Sequence, residues 1–426
     1  MATAAVTSAK RSVGFLLGIC VVMLGANFIW TSYNSILLPT MVEKVATANR
    51  GMIVGLIGFF GTLVGITVSI LAGIISDHTA SRWGKRTPSI LVGTLLTLPL
   101  MALLAIFYPP AMPLIVIGFI GMQFLTNVAN GAWWPLLVDV VPEEQRGTAS
   151  GLQGMLTLIG AALGIELVSY LNSSGQTGLA LWIIGIVFAA TGVVAAWVLR
   201  GKDKPAVETQ KVSLLTIVKN MFTVRTRVAV FFWVVLSALL ANMGMNSLQF
   251  FARYFFETYF PTVSPDFGFG LMGGISLIFT MVSAVVSGIL SDKIGRRTII
   301  LGALYICAVM TILMGFTSDF VLFMVFAAIR SAATGPIVAV VPALASGLAP
   351  EDEAGQYMAY NNLSTGLSGA LSALVFGVIL TTMTKTTFLI LYIISAVLFL
   401  VGALVFQLKV SQKELDARIK TEAPKP

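Results

Sequence analysis

Charged side chains are scarce in this chain of 426 residues. They make up 10% of it, whereas a soluble domain carries about 25%, so the composition argues against an ordinary soluble protein. The two cysteines, Cys20 and Cys307, fall in separate apolar runs, which argues against a disulfide framework or a cysteine metal site. The sequence also lacks a nucleophile–base pair, a metal-ligand cluster and a phosphate loop. We therefore expect neither an enzyme nor a cofactor.

Long apolar runs take the place of charge. Hydrophobic residues make up 57% of the chain, and about 20 apolar residues in a helix cross roughly 30 Å of hydrocarbon. We predict an all-α integral membrane protein of the cell membrane, multi-pass, with twelve transmembrane helices. Their predicted spans are 13–38, 51–76, 88–108, 112–138, 148–171, 177–199, 227–258, 268–291, 298–316, 319–346, 355–381 and 386–408.

Lysine and arginine alternate strongly between the two sides of these spans. Lys44, Arg50 and Lys385 fall on one side, and nearly all other cations fall in loops and ends on the opposite side. Because cytoplasmic loops are enriched in cations, both termini are predicted to be cytoplasmic. The net charge of +8 is then a consequence of topology beside a lipid bilayer, and nucleic acid is not expected as a partner.

One short pattern occurs twice. It reads GIISDHTASRWGKR at 73–86 and GILSDKIGRR at 288–297. Each copy ends an apolar helix, places an Asp there and turns on a Gly followed by two cations. This pattern resembles the loop signature of the major facilitator superfamily of transporters. The longer stretch DHTASRWGKRTP at 77–88 is similar to the turn of the glycoside–pentoside–hexuronide symporters and the related sucrose transporters.

The resemblance implies the major facilitator fold: two six-helix bundles with pseudo-two-fold symmetry and a substrate site near mid-membrane between them, reached by alternating access. The longest polar connection supplies the division. We predict an N-terminal bundle at 1–199, a cytoplasmic linker at 200–227, a C-terminal bundle at 228–408 and a cytoplasmic tail at 409–426. A monomer is expected to be functional.

The repeated turn is a predicted gate. In the superfamily it is thought to steady the outward-open state, and a carboxylate there is stabilised by nearby cations and by a helix N-terminus. Asp77 is predicted to contact the start of helix eleven near Ala354. A topology determinant with a tight turn is the open alternative. The candidate gating residues are Asp77, Arg82, Lys85, Arg86, Asp292, Arg296 and Arg297.

Polar residues inside the spans usually face a cavity or a partner. Helical spacing gives stripes on helices one, four, seven and eleven, which the resemblance places around the central cavity. Their amides and aromatic faces suit a sugar or glycoside, although any single Asn is equally expected to hydrogen-bond another helix. The candidate substrate contacts are Asn27, Trp30, Asn34, Gln123, Asn127, Asn130, Trp134, Asn242, Asn246, Gln249, Tyr357 and Asn361.

Two charged residues inside spans are further candidates. Arg330 lies near the predicted midplane, where snorkelling is difficult, so we expect it to bind substrate or to change its pairing during transport. Glu166 is the acid well inside a first-half helix and is the candidate proton-coupling residue; an interfacial glutamate is the open alternative. The predicted helices one and two carry no acid, unlike the sodium-coupled melibiose permeases, so a sodium site of that kind is not expected.

These features together predict a secondary active transporter of a small polar solute, with proton coupling and facilitated diffusion both open. Two other transport functions compete with it. An exporter of amphipathic compounds would need a larger, more aromatic cavity, and Arg330 would also suit an organic anion. A non-transporting membrane receptor is least favoured, since the chain carries no long soluble appendage.

Overall fold

The computed structural model describes residues 10–46, 48–203, 205, 229–348 and 354–412. In those ranges the chain is helical and contains no strand. The α-helices are α1 (Val13–Ser32), α2 (Leu38–Val45), α3 (Arg50–Asp77), α4 (Thr87–Ile106), α5 (Met112–Val140), α6 (Arg146–Ser173), α7 (Thr177–Leu199), α8 (Ala229–Met245), α9 (Ala252–Tyr259), α10 (Pro265–Ile294), α11 (Arg296–Phe316), α12 (Phe320–Gly347), α13 (Ala354–Ile379) and α14 (Lys385–Lys409).

The predicted all-α membrane architecture is confirmed. Within the described ranges, eleven helical stretches are long and apolar enough to cross a bilayer. The remaining predicted span lies in α13, whose apolar part, Leu363–Ile379, is shorter. Most helix ends agree with the predicted spans to within a few residues, because a bilayer requires an uninterrupted apolar run at each crossing.

Two spans differ from prediction. The first helix does not stop at 38: a π-helical turn, Tyr33–Leu37, leads into α2, which brings Glu43 into this helix. Helix seven is not continuous over 227–258, because a 3₁₀ turn at Asn246–Leu248 and a non-helical Phe251 separate α8 from α9. The break allows Phe250 and Phe251, adjacent in sequence, both to be buried.

The contacts divide the chain into two compact units. Unit 1 comprises Met1–Val45 and Val64–Gln210, and unit 2 comprises Ala46–Leu63 and Lys211–Pro426, so that α3 contributes to both. The predicted bundle boundaries stay a prediction. Most of the predicted linker and of the tail lies outside the described residues.

In unit 1, α1 packs closely on α6 and α7, and a side chain of α5 reaches it. The buried indole of Trp133 donates a hydrogen bond to the carbonyl of Ile19 at 2.7 Å. Glycines of α6 allow its backbone to lie against α1: a Cβ at Gly164 would be 2.6 Å from the Phe28 oxygen. Such close approach is typical of small-residue helix interfaces in membranes.

In unit 2, aromatic packing dominates one end. Phe255, fully buried, lies against Phe323, Phe388 and Tyr392 at ring-centroid distances of 5.1, 5.5 and 5.4 Å. Tilted and edge-on aromatic pairs of this kind contribute about 0.5–1.5 kcal/mol each beyond the area they bury. They hold α9, α12 and α14 together.

Candidate functional site

A cavity of about 220 Å³ with both polar and apolar lining residues lies in unit 2, with Arg330 in its wall. We call it the Arg330 cavity. It is formed where α8 ends, against the middle of α10 and α12. Its lining residues are Met245, Leu248, Gln249, Ala252, Phe269, Met272, Gly273, Ser276, Thr280, Arg330, Ser331 and Thr334.

Backbone carbonyls hold the Arg330 guanidinium. Its Nη2 donates to the carbonyl oxygens of Gly244 at 3.2 Å and Met245 at 3.4 Å, the last carbonyls of α8, where the helix dipole favours a cation. The guanidinium carbon lies 5.9 Å from the ring centroid of Phe399, within cation–π range. The Nε has no hydrogen-bond partner, and in the described part of the chain no carboxylate pairs with Arg330.

Four hydroxyl groups connect α10 and α12 beside this guanidinium. Thr280 and Thr334 share a hydrogen bond at 3.0 Å, and Ser331 donates to Ser276 at 2.9 Å. A hydroxyl both donates and accepts, so this network can re-pair with a polar solute. The roles of Ser276, Thr280 and Ser331 were not predicted from the sequence; the available signal was the spacing of four between the first two.

The predicted contacts of unit 2 are only partly brought together. Gln249 and Arg330 both line the cavity, whereas Asn242 donates to Ala238 O of its own helix at 2.8 Å. Asn246 donates to the Ser368 hydroxyl at 3.4 Å, so it bonds α13. The break after Met245 explains this, because residues on either side of it no longer share one helical face.

Helix eleven is described only in part. Asn361 is buried in α13. The side chain of Tyr357 lies outside the described residues. The roles of both residues as substrate contacts stay predictions.

Unit 1 contains buried amides without partners. Asn34, in the π-helical turn, is fully buried, and neither its Nδ2 nor its Oδ1 has a hydrogen-bond partner. The hydroxyl of the neighbouring Tyr33 is in the same condition. An unpaired buried polar group costs about 1–3 kcal/mol, and π-helical turns are frequent at functional sites. This turn therefore remains a candidate for contact with the substrate.

Helix α5 carries the other predicted amides. Asn127 donates to Gln123 O at 2.8 Å, and a Cβ at Gly65 would lie 2.6 Å from the Asn127 Nδ2, which shows that this glycine makes room for the amide. Gln123 is buried with its Nε2 unpaired, and the Asn130 Oδ1 is also without a partner.

Three other predicted residues of unit 1 have less specific surroundings. Asn27 donates to Met23 O at 2.9 Å, within its own helix. Trp30 and Trp134 both expose much of their side chains, 37% and 53%. Their roles as contacts for a sugar ring stay predictions.

Glu166 lies on an exposed face of α6. Its neighbours along that face, Leu163, Leu167 and Tyr170, are exposed as well. No cation among the described residues pairs with it. Its coupling role stays a prediction.

The first repeated turn builds an ion-pair cluster around Arg86, which we call the Arg86 cluster. The side chain of Arg86 is 3% exposed and pairs with two carboxylates, Asp77 and, at 2.9 Å, Asp139. It also donates to the Ser76 hydroxyl at 2.6 Å. Lys85 adds a second pair with Asp139 at 3.0 Å. The turn is thus fixed to the ends of both α3 and α5.

Asp203 completes this turn from a distant part of the sequence. Its Oδ2 accepts from the backbone N–H groups of Arg86 and Thr87, both at 2.9 Å, and from the Thr87 hydroxyl at 2.9 Å. It therefore caps the N-terminus of α4. Gly84 has φ +99, and a Cβ there would meet the Asp203 carboxylate, so glycine is required. Sequence analysis did not identify Asp203.

The second turn has the same backbone with different partners. Gly295 has φ +96, which matches Gly84. Arg297 donates to Val410 O at 2.7 Å and Gln407 O at 2.9 Å, at the end of α14, and Arg296 donates to Ala343 O at 3.1 Å. The side chain of Asp292 lies outside the described residues. The gating roles, including that of exposed Arg82, stay predictions.

Comparison with solved structures identifies the fold. A mutant form of the nucleoside transporter NupG superposes with a TM-score of 0.70 at 14% identity, covering 93% of this chain and 100% of the other. A bacterial homolog of the human lysosomal transporter Spinster, inward-facing and occupied, gives 0.71 at 12% identity, with 92% and 96% covered. Its unoccupied form gives 0.71 at 12%, with 97% and 98% covered. These likenesses confirm the predicted fold of two six-helix bundles.

The sequence itself gives the family. No curated protein matches it. Two stretches, residues 15–258 and 245–425, match the profile of the Major Facilitator Superfamily. Together they span nearly the whole chain. This match confirms the predicted transport function, the multi-pass membrane location and the absence of enzymatic activity. The chain belongs to the Major Facilitator Superfamily of transporters.

Proposed function

We propose that this transporter moves a sugar or glycoside by alternating access, with the Arg330 cavity as part of the substrate path. The observation that carries the proposal is a guanidinium with an unpaired Nε beside four hydroxyls and an amide, in a span that should be apolar. Such polar groups inside a bilayer mark substrate pathways. The similarity of the 77–88 turn to the sugar symporters supports the same substrate class.

The cavity chemistry suits a polyhydroxylated solute. Gln249, Thr280 and Thr334 offer both donors and acceptors, and Arg330 offers donors alone. Asn34, Gln123 and the exposed indole of Trp30 are the proposed substrate contacts of unit 1. The carrier works as a monomer with both termini in the cytoplasm.

An organic anion is the second candidate, and one observation favours it. Arg330 is held by carbonyls at a helix end instead of a carboxylate, so a carboxylate on the solute would be its first full counter-charge. A charge-assisted pair of this kind is about twice as strong as a neutral hydrogen bond.

Ligand-dependent thermal stabilisation of the purified protein separates these candidates. The panel comprises neutral sugars, glycosides, uronides, simple carboxylates and, because of the structural neighbour, a nucleoside. A ligand at about 100 times its Kd stabilises the folded state by about 2.7 kcal/mol. We expect a sugar or glycoside to raise the melting temperature of wild type and of Lys44→Gln, an exposed cation elsewhere, but not of Arg330→Gln. Stabilisation by carboxylates alone would replace the sugar proposal with the anion one.

Glu166 is proposed to carry the coupling proton. In proteoliposomes, an inward proton gradient should then stimulate uptake by wild type and by Glu144→Gln, an exposed acid outside the spans, but not by Glu166→Gln. Gradient-stimulated uptake that persists in Glu166→Gln would remove this residue from coupling. Uptake indifferent to the gradient in all three proteins would make the carrier a uniporter.

A further inference from the structure

A second concave site lies in unit 1. It is a groove of about 700 Å³ between α4 and α7. Arg82 and Arg200 lie in it with the indoles of Trp83 and Trp197, and Leu91, Leu95 and Val193 continue it along the two helices. The groove therefore combines cations with a strip of aliphatic side chains.

The two arginines of this groove are available to an external anion. Arg82 and Arg200 are both exposed, and no carboxylate of the described residues pairs with either. Arg86, four residues from Arg82, is the contrasting case, since it is buried and paired with Asp77 and Asp139. The same turn thus pairs Arg86 with two carboxylates of the protein, whereas Arg82 pairs with none in the described part of the chain.

The position of the groove relative to the bilayer follows from its aromatic residues. Trp83 is 51% exposed and Trp197 is 74% exposed, and tryptophan is enriched where hydrocarbon meets headgroups. The basic turn is predicted to be cytoplasmic, and the cytoplasmic leaflet carries anionic lipids. Leu95 and Val193, both exposed, lie further along α4 and α7 from the turn, toward the hydrocarbon.

We propose that this groove binds an anionic glycerophospholipid. The headgroup phosphate lies between Arg82 and Arg200, and the indoles of Trp83 and Trp197 lie at the level of the glycerol backbone. An acyl chain follows Leu91, Leu95 and Val193. Guanidinium groups suit phosphate through paired N–H donors, and basic pockets between transmembrane helices on this side of a membrane bind phosphorylated headgroups. The site is independent of the transported solute.

Native mass spectrometry of the protein released from nanodiscs tests the proposal. The nanodiscs contain equal amounts of phosphatidylglycerol and phosphatidylcholine. Wild type should retain phosphatidylglycerol selectively, and the double variant Arg82→Gln/Arg200→Gln should bind it roughly 30-fold more weakly, from the loss of two cations near the surface. The matched control is Lys10→Gln/Lys293→Gln, which removes two exposed cations outside the groove and should behave like wild type. Equal retention by both double variants would overturn the proposal.

Quenching of tryptophan fluorescence locates the lipid and identifies its source. Phosphatidylglycerol with brominated acyl chains should quench wild type more than brominated phosphatidylcholine does, and Trp83→Phe/Trp197→Phe should lose that difference. Inorganic phosphate at millimolar concentration should leave the quenching unchanged. If phosphate abolishes it, the groove is a site for free phosphate and the lipid proposal fails. Both variants replace exposed side chains, and their melting temperatures check that they are folded.

Discussion

Arg86 and Arg330 are both arginines within helical bundles, and their surroundings differ in kind. Arg86 is paired with the carboxylates of Asp77 and Asp139, whereas Arg330 donates to carbonyls at the end of α8. Arg86 therefore has its counter-charges within the fold. Arg330 has only the partial charges of a helix end, so its guanidinium can form a further stabilising interaction with a solute.

At the residue scale, removing Arg86 should destabilise the protein strongly. Arg86→Gln removes the cation shared by Asp77 and Asp139 and the charged hydrogen bond to Ser76. Because the carboxylates are 49% and 27% exposed and Asp139 keeps its pair with Lys85, we expect a loss of about 1.5–3 kcal/mol, the range for hydrogen bonds to a charged group. Lys85→Gln is the matched control, because it removes one cation of the same turn that is 24% exposed and makes a single pair. Thermal unfolding in detergent should show a much larger decrease for Arg86→Gln. Equal decreases would mean that the cluster is held together by general charge balance.

The sequence predicts the roles of some of these residues and not of others. Arg330 was predictable, because a cation in the middle of an apolar span requires a cavity or partner. Ser331 and Thr280 were harder to predict, since a hydroxyl in a span commonly bonds its own helix and the spacing of four between Ser276 and Thr280 is a weak signal. Asp203 lies in a polar connection where acids are ordinary, and only the folded chain brings it to Thr87.

At the element scale, Asp203 should stabilise the N-terminus of α4 by accepting from its first backbone N–H groups, as an N-cap side chain does. Asp203→Ala removes the acceptor of three hydrogen bonds and should cost about 1 kcal/mol, the usual value for a lost N-cap. Asp203→Asn keeps a capping oxygen and should stay close to wild type. Denaturant or thermal unfolding of the two variants measures this. A decrease as large in Asp203→Asn would show that the negative charge beside Arg86, instead of the cap, is what stabilises the turn.

Helix boundaries were more predictable than helix interiors. A span must be apolar throughout, so composition alone places its ends within a few residues. The π-helical turn at Tyr33–Leu37 and the break after Met245 leave the composition unchanged, and hydropathy therefore does not reveal them. The consequence was a wrong assumption that the polar residues of helix seven share one face.

At the scale of the whole molecule, the predicted bundles and the observed units divide α3 differently. Residues 46–63 group with unit 2, although the sequence places them in the bundle at 1–199. A Cβ at Gly369 of α13 would lie 4.0 Å from the Thr62 Cγ2. If α3 moves with the N-terminal bundle, this contact has to open in each transport cycle.

A cross-link tests that requirement. Thr62→Cys/Gly369→Cys places two cysteines at neighbouring positions, since a Cβ at Gly369 would lie 4.0 Å from the Thr62 Cγ2, and the native Cys20 and Cys307 are both buried. Oxidation should stop uptake and a reductant should restore it, while the single-cysteine variants stay active. Full uptake by the oxidised pair would show that Thr62 and α13 move as one body.

The central claim is that this chain exchanges a small polar solute across the membrane through the Arg330 cavity. Counterflow in proteoliposomes tests it most directly, because exchange of external radiolabelled solute for internal unlabelled solute needs no knowledge of the coupling ion. We predict transient accumulation of a labelled sugar or glycoside with wild type and with Lys44→Gln, and none with Arg330→Gln or with protein-free liposomes. Unchanged counterflow in Arg330→Gln would contradict the account.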